Sequence, residues 1–151
     1  MLTVTIRPAA PVDEPTIRKV VEAAYAPYVE AIGKRPAPMD APFAILIGAG
    51  QIHVAIDENG AILGCIVFFM DGAHMLLDSV TTRPDMTGRG IGRALISFCE
   101  ECARAKGAQA VKLYTNVKMT ENLTRYPRLG YKETGRRQDR GFDRVYFEKR
   151  L

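Results

Sequence analysis

Three closely spaced glycines give this chain its clearest chemical signal. Gly88, Gly90 and Gly92 lie between an apolar strand pattern and an amphipathic helix pattern. Glycine has no Cβ, so a ligand can approach its backbone closely, and the following helix directs unsatisfied N–H groups and a positive dipole end toward the same point. The segment therefore predicts an anion site, to which Arg89 and Arg93 would add positive charge.

The spacing of these glycines disfavours two common phosphate-binding motifs. A dinucleotide fingerprint that begins at Gly88 requires a further glycine at position 93, where the chain has arginine. A Walker P-loop that begins at Gly88 fails at the same position, and the chain contains no Gly-Lys-Ser/Thr sequence. The expected phosphate ligand is thus neither a dinucleotide nor a hydrolysed nucleoside triphosphate.

Composition indicates an ordinary globular protein. The chain has 151 residues, 47% hydrophobic and 25% charged, which suits a single domain over residues 1–151. No apolar run reaches the ~18 residues of a membrane span, and the polar N-terminal sequence does not suit a signal peptide, so we expect a cytoplasmic protein without a membrane partner. Three cysteines and a net charge of +4 without basic clusters predict reduced thiols, no metal and no nucleic-acid partner.

Hydrophobic periodicity predicts an α/β order with a mixed sheet and helices on both faces. Asp13 is expected to cap the first helix, Pro27 to interrupt it, and the proline-rich segment 34–42 to form an extended loop. The predicted strands are 2–7, 52–57, 62–70, 73–82, 110–115, 131–135 and 145–149, and the predicted helices are 14–32, 43–48, 90–106 and 120–129.

The motifs along this order resemble those of the GCN5-related N-acetyltransferases. That family's [Q/R]-x-x-G-x-[G/A] signature reads Thr87-Gly88-Arg89-Gly90-Ile91-Gly92 here, and Tyr126 to Tyr131 resembles its closing Y-x-x-x-G-[FY] segment. The resemblance implies a central, mostly antiparallel twisted sheet of about seven strands flanked by about four helices. Three positions depart from the pattern: Thr87 replaces glutamine or arginine, Pro127 follows the tyrosine, and Met119 replaces an asparagine.

The resemblance implies acetyl-coenzyme A as cosubstrate. Its pyrophosphate would bind the backbone of Gly88 to Arg93, and its pantetheine arm would lie along Val80 and Thr82. Asn116 and Asn122 are close enough in sequence to substitute for the missing asparagine.

Acyl transfer to an amine needs a neutral amine, a stabilised oxyanion and a proton for the departing thiolate. By resemblance, Tyr126 is the general acid. The residues leave the base open: Asp78, on the fourth predicted strand, is one candidate, and His53 and His74 are others with a suitable intrinsic pKa.

These observations predict an acetyl-coenzyme A-dependent N-acetyltransferase that transfers the acetyl group directly in a ternary complex. The acceptor would be an amine of a small molecule or a peptide. A non-catalytic acyl-coenzyme A-binding regulatory module is the alternative, because it would share the glycine loop. Dimers are common in families of this kind, so a homodimer is one alternative for the oligomeric state.

Overall fold

A computed structural model describes residues 2–151 and contains a seven-stranded sheet in the order β1-β2-β3-β4-β5-β7-β6. β4 and β5 run parallel, whereas β1–β2, β2–β3, β5–β7 and β6–β7 are antiparallel. The strands are β1 (Thr5–Pro8), β2 (Ile52–Ile56), β3 (Ile62–Asp71), β4 (His74–Thr82), β5 (Ala110–Asn116), β6 (Lys132–Asp139) and β7 (Phe142–Arg150). The predicted mixed sheet of about seven strands is confirmed.

Five α-helices connect these strands within residues 2–151, where about four were expected. The additional helix arises because Pro27 divides the first helical pattern into two. The helices are α1 (Glu14–Tyr25), α2 (Tyr28–Ile32), α3 (Phe43–Gly48), α4 (Ile91–Ala105) and α5 (Thr120–Arg128), with short 3₁₀ turns at Pro11–Asp13, Ala37–Asp40 and Pro84–Met86. None of these helices is both long and apolar enough to cross a lipid bilayer.

The described residues form two compact units. The first comprises residues 2–68 and 79–99, and the second comprises residues 69–78 and 100–151. In the first unit, one apolar face of α1 packs with α3 and strands β2 and β3. Members of this core include Ile17, Val20, Val21, Met39, Phe43, Ile47, Val54 and Val67.

Two local expectations for the first unit were wrong. Asp13 does not cap α1; its carboxylate instead accepts the Ala10 N–H at 2.7 Å and pairs with Arg7 at 2.8 Å. The proline-rich segment is not wholly extended, because a 3₁₀ turn at Ala37–Asp40 buries Met39 in the core. Single apolar side chains that anchor a loop give no periodic signal, so sequence reading could not detect this turn.

In the second unit, β5 alternates between a buried face and a more exposed one. Leu113 and Thr115 are buried, and Asn122 of α5 donates a hydrogen bond to the Thr115 hydroxyl at 2.9 Å, so α5 covers that face. Tyr114 points to the opposite face, as period-two alternation requires.

The final hairpin is much longer than the sequence suggested. The two strands were expected over 131–135 and 145–149, but the observed ladder continues to the pair Asp139–Phe142. Its outer half carries mostly exposed polar and charged side chains, so it lacks the apolar alternation by which half-buried strands are recognised.

Candidate active site

The glycine segment connects the 3₁₀ turn at Pro84–Met86 to α4. Gly88 has φ +81° and Gly90 has φ +84°, both in the left-handed region that residues with a Cβ rarely adopt. A Cβ at either position would meet no atom within 4 Å, so both glycines border open space and are required by conformation rather than by crowding. The helical hydrogen bonds begin with Ala94 N–H to Gly90 O, and within residues 2–151 the N–H groups of Gly88 to Arg93 donate to no backbone carbonyl, so they can bind a ligand.

The loop is held in shape by its own side chains. The Thr87 hydroxyl donates to the Pro84 carbonyl at 3.0 Å, and the Arg83 guanidinium makes two hydrogen bonds to Asp85, at 2.6 and 2.9 Å. Arg83 thereby lowers the pKa of the Asp85 carboxyl. Thr87, at the family's glutamine or arginine position, therefore stabilises the turn that precedes the glycines.

Two arginines leave positive charge at this point. Arg89 and Arg93 are exposed, and neither forms a salt bridge within residues 2–151. The one nearby acidic side chain in the loop, Asp85, is already paired with Arg83. The exposed backbone N–H groups, the helix N-terminus and two arginines outside the salt bridges of residues 2–151 together fit a multiply charged anion.

The end of β4 lies against this helix start. Thr81 is buried, whereas Val80 and Thr82 are half-buried. A Cβ on Gly92 would lie 3.4 Å from the Thr82 hydroxyl, and a Cβ on Gly64 would lie 2.6 Å from the Thr81 carbonyl oxygen. Glycine at 64 thus permits the close packing of β3, β4 and α4, whereas a Cβ at position 92 would make an ordinary contact.

Asp78 has a defined partner in the second unit. The Tyr114 hydroxyl donates a hydrogen bond to Asp78 Oδ1 at 2.6 Å. Burial raises the pKa of Tyr114 above its usual value, and the hydrogen bond to Asp78 and the Asp78 charge raise it further. Tyr114 therefore stays protonated and holds the carboxylate in one orientation. No sequence pattern predicts this pairing, since the two residues are far apart in the chain.

Tyr126 lies within the core of the second unit. Its ring packs at 5.7 Å between centroids against both Tyr131 and Phe147, and only 4% of the residue is exposed. Burial raises the pKa of Tyr126 to about 12, so the hydroxyl carries its proton at neutral pH. Pro127 lies inside α5, which continues to Arg128.

The two predicted asparagines have structural contacts. Asn116 Oδ1 accepts the Lys118 N–H at 2.9 Å in the β5–α5 connection, and Asn122 binds Thr115. Their contact with a cofactor stays a prediction.

The two histidines occupy different surroundings. The His53 ring stacks on Phe68 at 5.2 Å and lies 4.9 Å from Phe98, which is a packing arrangement in the first unit. His74 lies 3.6 Å from Asp71 beside the β3–β4 turn. Asp78, with its oriented carboxylate, is the better candidate for a general base. Residues 2–151 contain no cluster of three or more His, Cys, Asp or Glu side chains that could hold a metal ion.

The sequence model of the acetyltransferase (GNAT) family matches residues 17–131, so the chain belongs to that family. The predicted family is confirmed. The chain is similar to the uncharacterized protein YdhI of Bacillus subtilis, with 32% identity over 77 residues that cover 51% of this chain and 47% of YdhI. It is also similar to the aminoalkylphosphonate N-acetyltransferase of Salmonella typhimurium, with 33% identity over 83 residues that cover 51% and 54% of the two chains. The chain thus matches about half the length of these curated relatives.

Solved structures confirm the fold. The PaiA N-acetyltransferase of Thermoplasma acidophilum in complex with coenzyme A superposes with a TM-score of 0.84 at 17% identity, covering 99% of this chain and all of that one. The ribosomal-protein-S18-alanine N-acetyltransferase of Escherichia coli gives a TM-score of 0.79 at 16% identity, covering 99% of this chain and 94% of that one.

Proposed function

We propose that this protein is an N-acetyltransferase that uses acetyl-coenzyme A. The observation that carries the proposal is the start of α4, where Gly88 and Gly90 are left-handed. Within residues 2–151, the N–H groups of this segment have no backbone partner, and Arg89 and Arg93 form no salt bridge. In a chain of the GNAT family, this anion site suits the pyrophosphate of coenzyme A.

The donor would be held mainly by backbone groups. Gly88 to Arg93 would supply N–H donors to the pyrophosphate, with Arg89 and Arg93 adding charge. Val80 and Thr82 would offer strand-like hydrogen bonds to the pantetheine amides, because they continue β4 beyond Leu77, the last β4 residue in the β4–β5 register. Thr87 would keep the turn in its binding shape.

We assign proton removal from the acceptor to Asp78. Its carboxylate is fixed by the Tyr114 hydroxyl, and its remaining lone pairs can accept a proton from an ammonium group directly or through one water molecule. A fixed carboxylate loses no orientational freedom when it binds the amine, which favours proton transfer.

We assign protonation of the leaving thiolate to Tyr126. A tyrosine with a pKa of about 12 is a weak acid compared with a thiol in water, whose pKa is ~8.5. The same burial that raises the pKa of Tyr126 would raise that of a thiol in similar surroundings, and this reduces the difference.

The cysteines support direct transfer over an acetylated enzyme. Cys65 and Cys99 are buried, and burial raises the pKa of the Cys65 thiol to about 12. Burial also raises the pKa of the Cys102 thiol. Thiols held in the protonated form are poor nucleophiles, so a ternary complex is the expected mechanism. Intersecting double-reciprocal plots would support it, and parallel plots would contradict it.

The acceptor is proposed to be an amine of a small molecule or a peptide. One relative is named for aminoalkylphosphonates, and one structural neighbour is named for an alanine of a ribosomal protein. Both kinds of amine belong in the first panel of substrates.

Calorimetry with acetyl-coenzyme A and a free-thiol assay with the amine panel test the proposal. Changing Arg89 and Arg93 to glutamine should weaken acetyl-coenzyme A binding about tenfold, because two charge-assisted contacts are lost. Arg104→Gln is the matched control, since Arg104 lies on the same helix but pairs with Glu101 at 2.7 Å. No binding of acetyl-coenzyme A at near-millimolar concentration would overturn the proposal.

The burial of Tyr126 favours one alternative function, an acyl-coenzyme A-binding module without catalysis. Its ring packs as an ordinary core tyrosine between Tyr131 and Phe147. Tight binding of acetyl-coenzyme A without thiol release across the whole amine panel would favour this alternative.

A further inference from the structure

The second unit has a polar sheet face opposite α5, formed by side chains of β4, β5, β6 and β7. Its side chains include Asp78, Tyr114, Tyr146, Arg137 and Arg144. Tyr114 is in register with Tyr146, and their rings lie 6.0 Å apart. Arg137 is in register with Arg144, so two cations stand directly opposite each other on the β6–β7 hairpin.

Like charges at directly opposed positions destabilise a hairpin. Arg144 is compensated: it is buried, binds Asp139 at 2.7 Å, and lies 4.1 Å above the Tyr114 ring. Arg137 stacks on the Tyr146 ring at 3.6 Å but is exposed, and no carboxylate pairs with it within residues 2–151. On this hairpin the charge of Arg144 is therefore neutralised by Asp139, whereas the charge of Arg137 is not neutralised by a carboxylate within residues 2–151.

Arg140, at the tip of this hairpin, is a second unusual arginine. Its φ is +53°, followed by Gly141 at +81°, so both central residues of the turn are left-handed. Such turns favour Asn-Gly, and an arginine stores strain there. The Arg140 charge also acts on the Tyr114 hydroxyl, opposing the rise in the pKa of that group. Arg140 thus adopts a strained conformation and forms no salt bridge within residues 2–151, and folding does not explain an arginine at this position.

We propose that the tip of the β6–β7 hairpin binds an oxyanion carried by the acceptor, with Arg137 and Arg140 as its ligands. This rests on the proposed transferase function, with Asp78 receiving the amine. The Tyr146 ring holds Arg137 in place, and Tyr146 in turn packs against Tyr114. The substrate class is then an amine with a carboxylate, phosphonate or phosphate group.

The sheet also sets a length for this acceptor. The strand order places Asp78 on β4 and Arg137 on β6, three strand spacings apart. Three spacings of ~4.8 Å make ~14 Å, but the Arg137 guanidinium stacks on the Tyr146 ring of β7, one strand closer to Asp78 and in register with Tyr114. Amine and oxyanion would therefore be on the order of 10 Å apart. An extended ω-amino acid or a short peptide carboxylate fits this span better than a compact 2-amino acid.

Steady-state kinetics with matched acceptors tests the inference. The panel contains ω-amino carboxylates from 4-aminobutanoate to 8-aminooctanoate, each with its uncharged carboxamide, and phosphate monoesters of the corresponding amino alcohols. The wild-type protein should prefer the anionic member of each pair at the longer lengths. The relative KM of carboxylates and phosphates identifies the preferred oxyanion.

Three variants separate recognition from folding. Arg137→Gln should raise KM for anionic acceptors about tenfold and leave KM for their amides nearly unchanged. Arg140→Asn should raise the melting temperature, because asparagine suits the turn, and yet raise KM for anionic acceptors. Arg136→Gln is the control: Arg136 is adjacent in sequence, alternates to the other face and pairs with Glu133 at 3.1 Å, so KM should not change.

Two results would overturn the inference and leave the transferase function intact. One is that the wild-type protein has the same KM for the anionic acceptors and for their carboxamides. The other is that Arg137→Gln raises both KM values equally. If no amine is acetylated, the proposed function fails, and nuclear magnetic resonance decides the inference separately. The Nε–Hε signals of Arg137 and Arg140 should shift with 8-aminooctanoate and not with 8-aminooctanamide. Identical spectra with both compounds would exclude the site.

Discussion

The Tyr114 hydroxyl donates to Asp78 Oδ1 at 2.6 Å and orients the proposed general base. Asp78→Asn should reduce kcat by about 10²–10⁴-fold, the usual contribution of a positioned base. Tyr114→Phe should reduce kcat several-fold without changing KM for acetyl-coenzyme A, because the carboxylate remains but loses its fixed orientation. Steady-state rates measure both, with Tyr146→Phe as the control that keeps the neighbouring ring. Full activity in Asp78→Asn would show that Asp78 is not the general base.

Gly88 and Gly90 should be needed for binding more than for stability. Alanine at either position is strained at a φ above +80° and should cost about 1 kcal/mol, while shifting the N–H groups that face the ligand. We expect a large rise in the Kd for acetyl-coenzyme A, measured by calorimetry. Gly107→Ala, at φ +73° just beyond the other end of α4, carries similar strain and should leave Kd unchanged. A similar loss of affinity in Gly107→Ala would show that strain alone, and not the loop, weakens binding.

The close approach of Gly64 to the Thr81 carbonyl makes position 64 intolerant of any side chain. An alanine Cβ would lie 2.6 Å from that backbone oxygen and 3.1 Å from Ile91, so β4 must move. Gly64→Ala should destabilise the protein by about 1–3 kcal/mol or more and weaken acetyl-coenzyme A binding. Gly48→Ala is the matched control, because its Cβ would meet nothing within 4 Å inside α3, and it should be neutral or stabilising. Denaturant titrations of both variants compare the free energies of unfolding.

Because of Asp13, the free energy of unfolding should decrease as the pH is lowered into the acid range. Its hydrogen bonds from Arg7, together with the Ala10 N–H, hold the pKa of this buried carboxyl below its usual value. A lowered pKa in the folded state stabilises the protein at pH above the unfolded pKa of ~3.9, and this stabilisation disappears as pH falls through the folded pKa. Asp13→Asn should therefore destabilise the protein at pH 7 by about 1–3 kcal/mol and flatten the loss of stability in acid.

Thermal melts between pH 7 and pH 3 measure the effect of Asp13. Glu133→Gln removes an exposed ion pair with Arg136 and should change little. If the melting temperature of Asp13→Asn depends on pH as that of the wild-type protein does, this carboxyl does not control the loss of stability in acid.

The sequence predicted the order of strands and helices because most of them bury one apolar face, and such faces leave a period of two or 3.6. It failed where contacts are not periodic: Met39 anchors a single turn, and the outer half of the β6–β7 hairpin is charged on both faces. The glycine loop was predictable because its chemistry lies within six consecutive residues. The bond between Tyr114 and Asp78 was not, since it joins residues 36 positions apart through the parallel pairing of β4 with β5.

Tyr126 and Tyr131, whose rings meet edge to face, should behave differently when their hydroxyl groups are removed. Tyr131 donates a buried hydrogen bond to Glu100 at 2.8 Å, whereas Tyr126 is the proposed acid. Tyr131→Phe should lower stability by about 1–3 kcal/mol, because Glu100 loses a partner, and leave kcat per folded molecule nearly unchanged. Tyr126→Phe keeps the rings packed, so it should retain stability and lower kcat about 10²-fold or more. Melting temperatures and single-turnover rates compare the two. If turnover is unchanged in Tyr126→Phe, the thiolate is protonated by water, and Tyr126 serves only to pack the core.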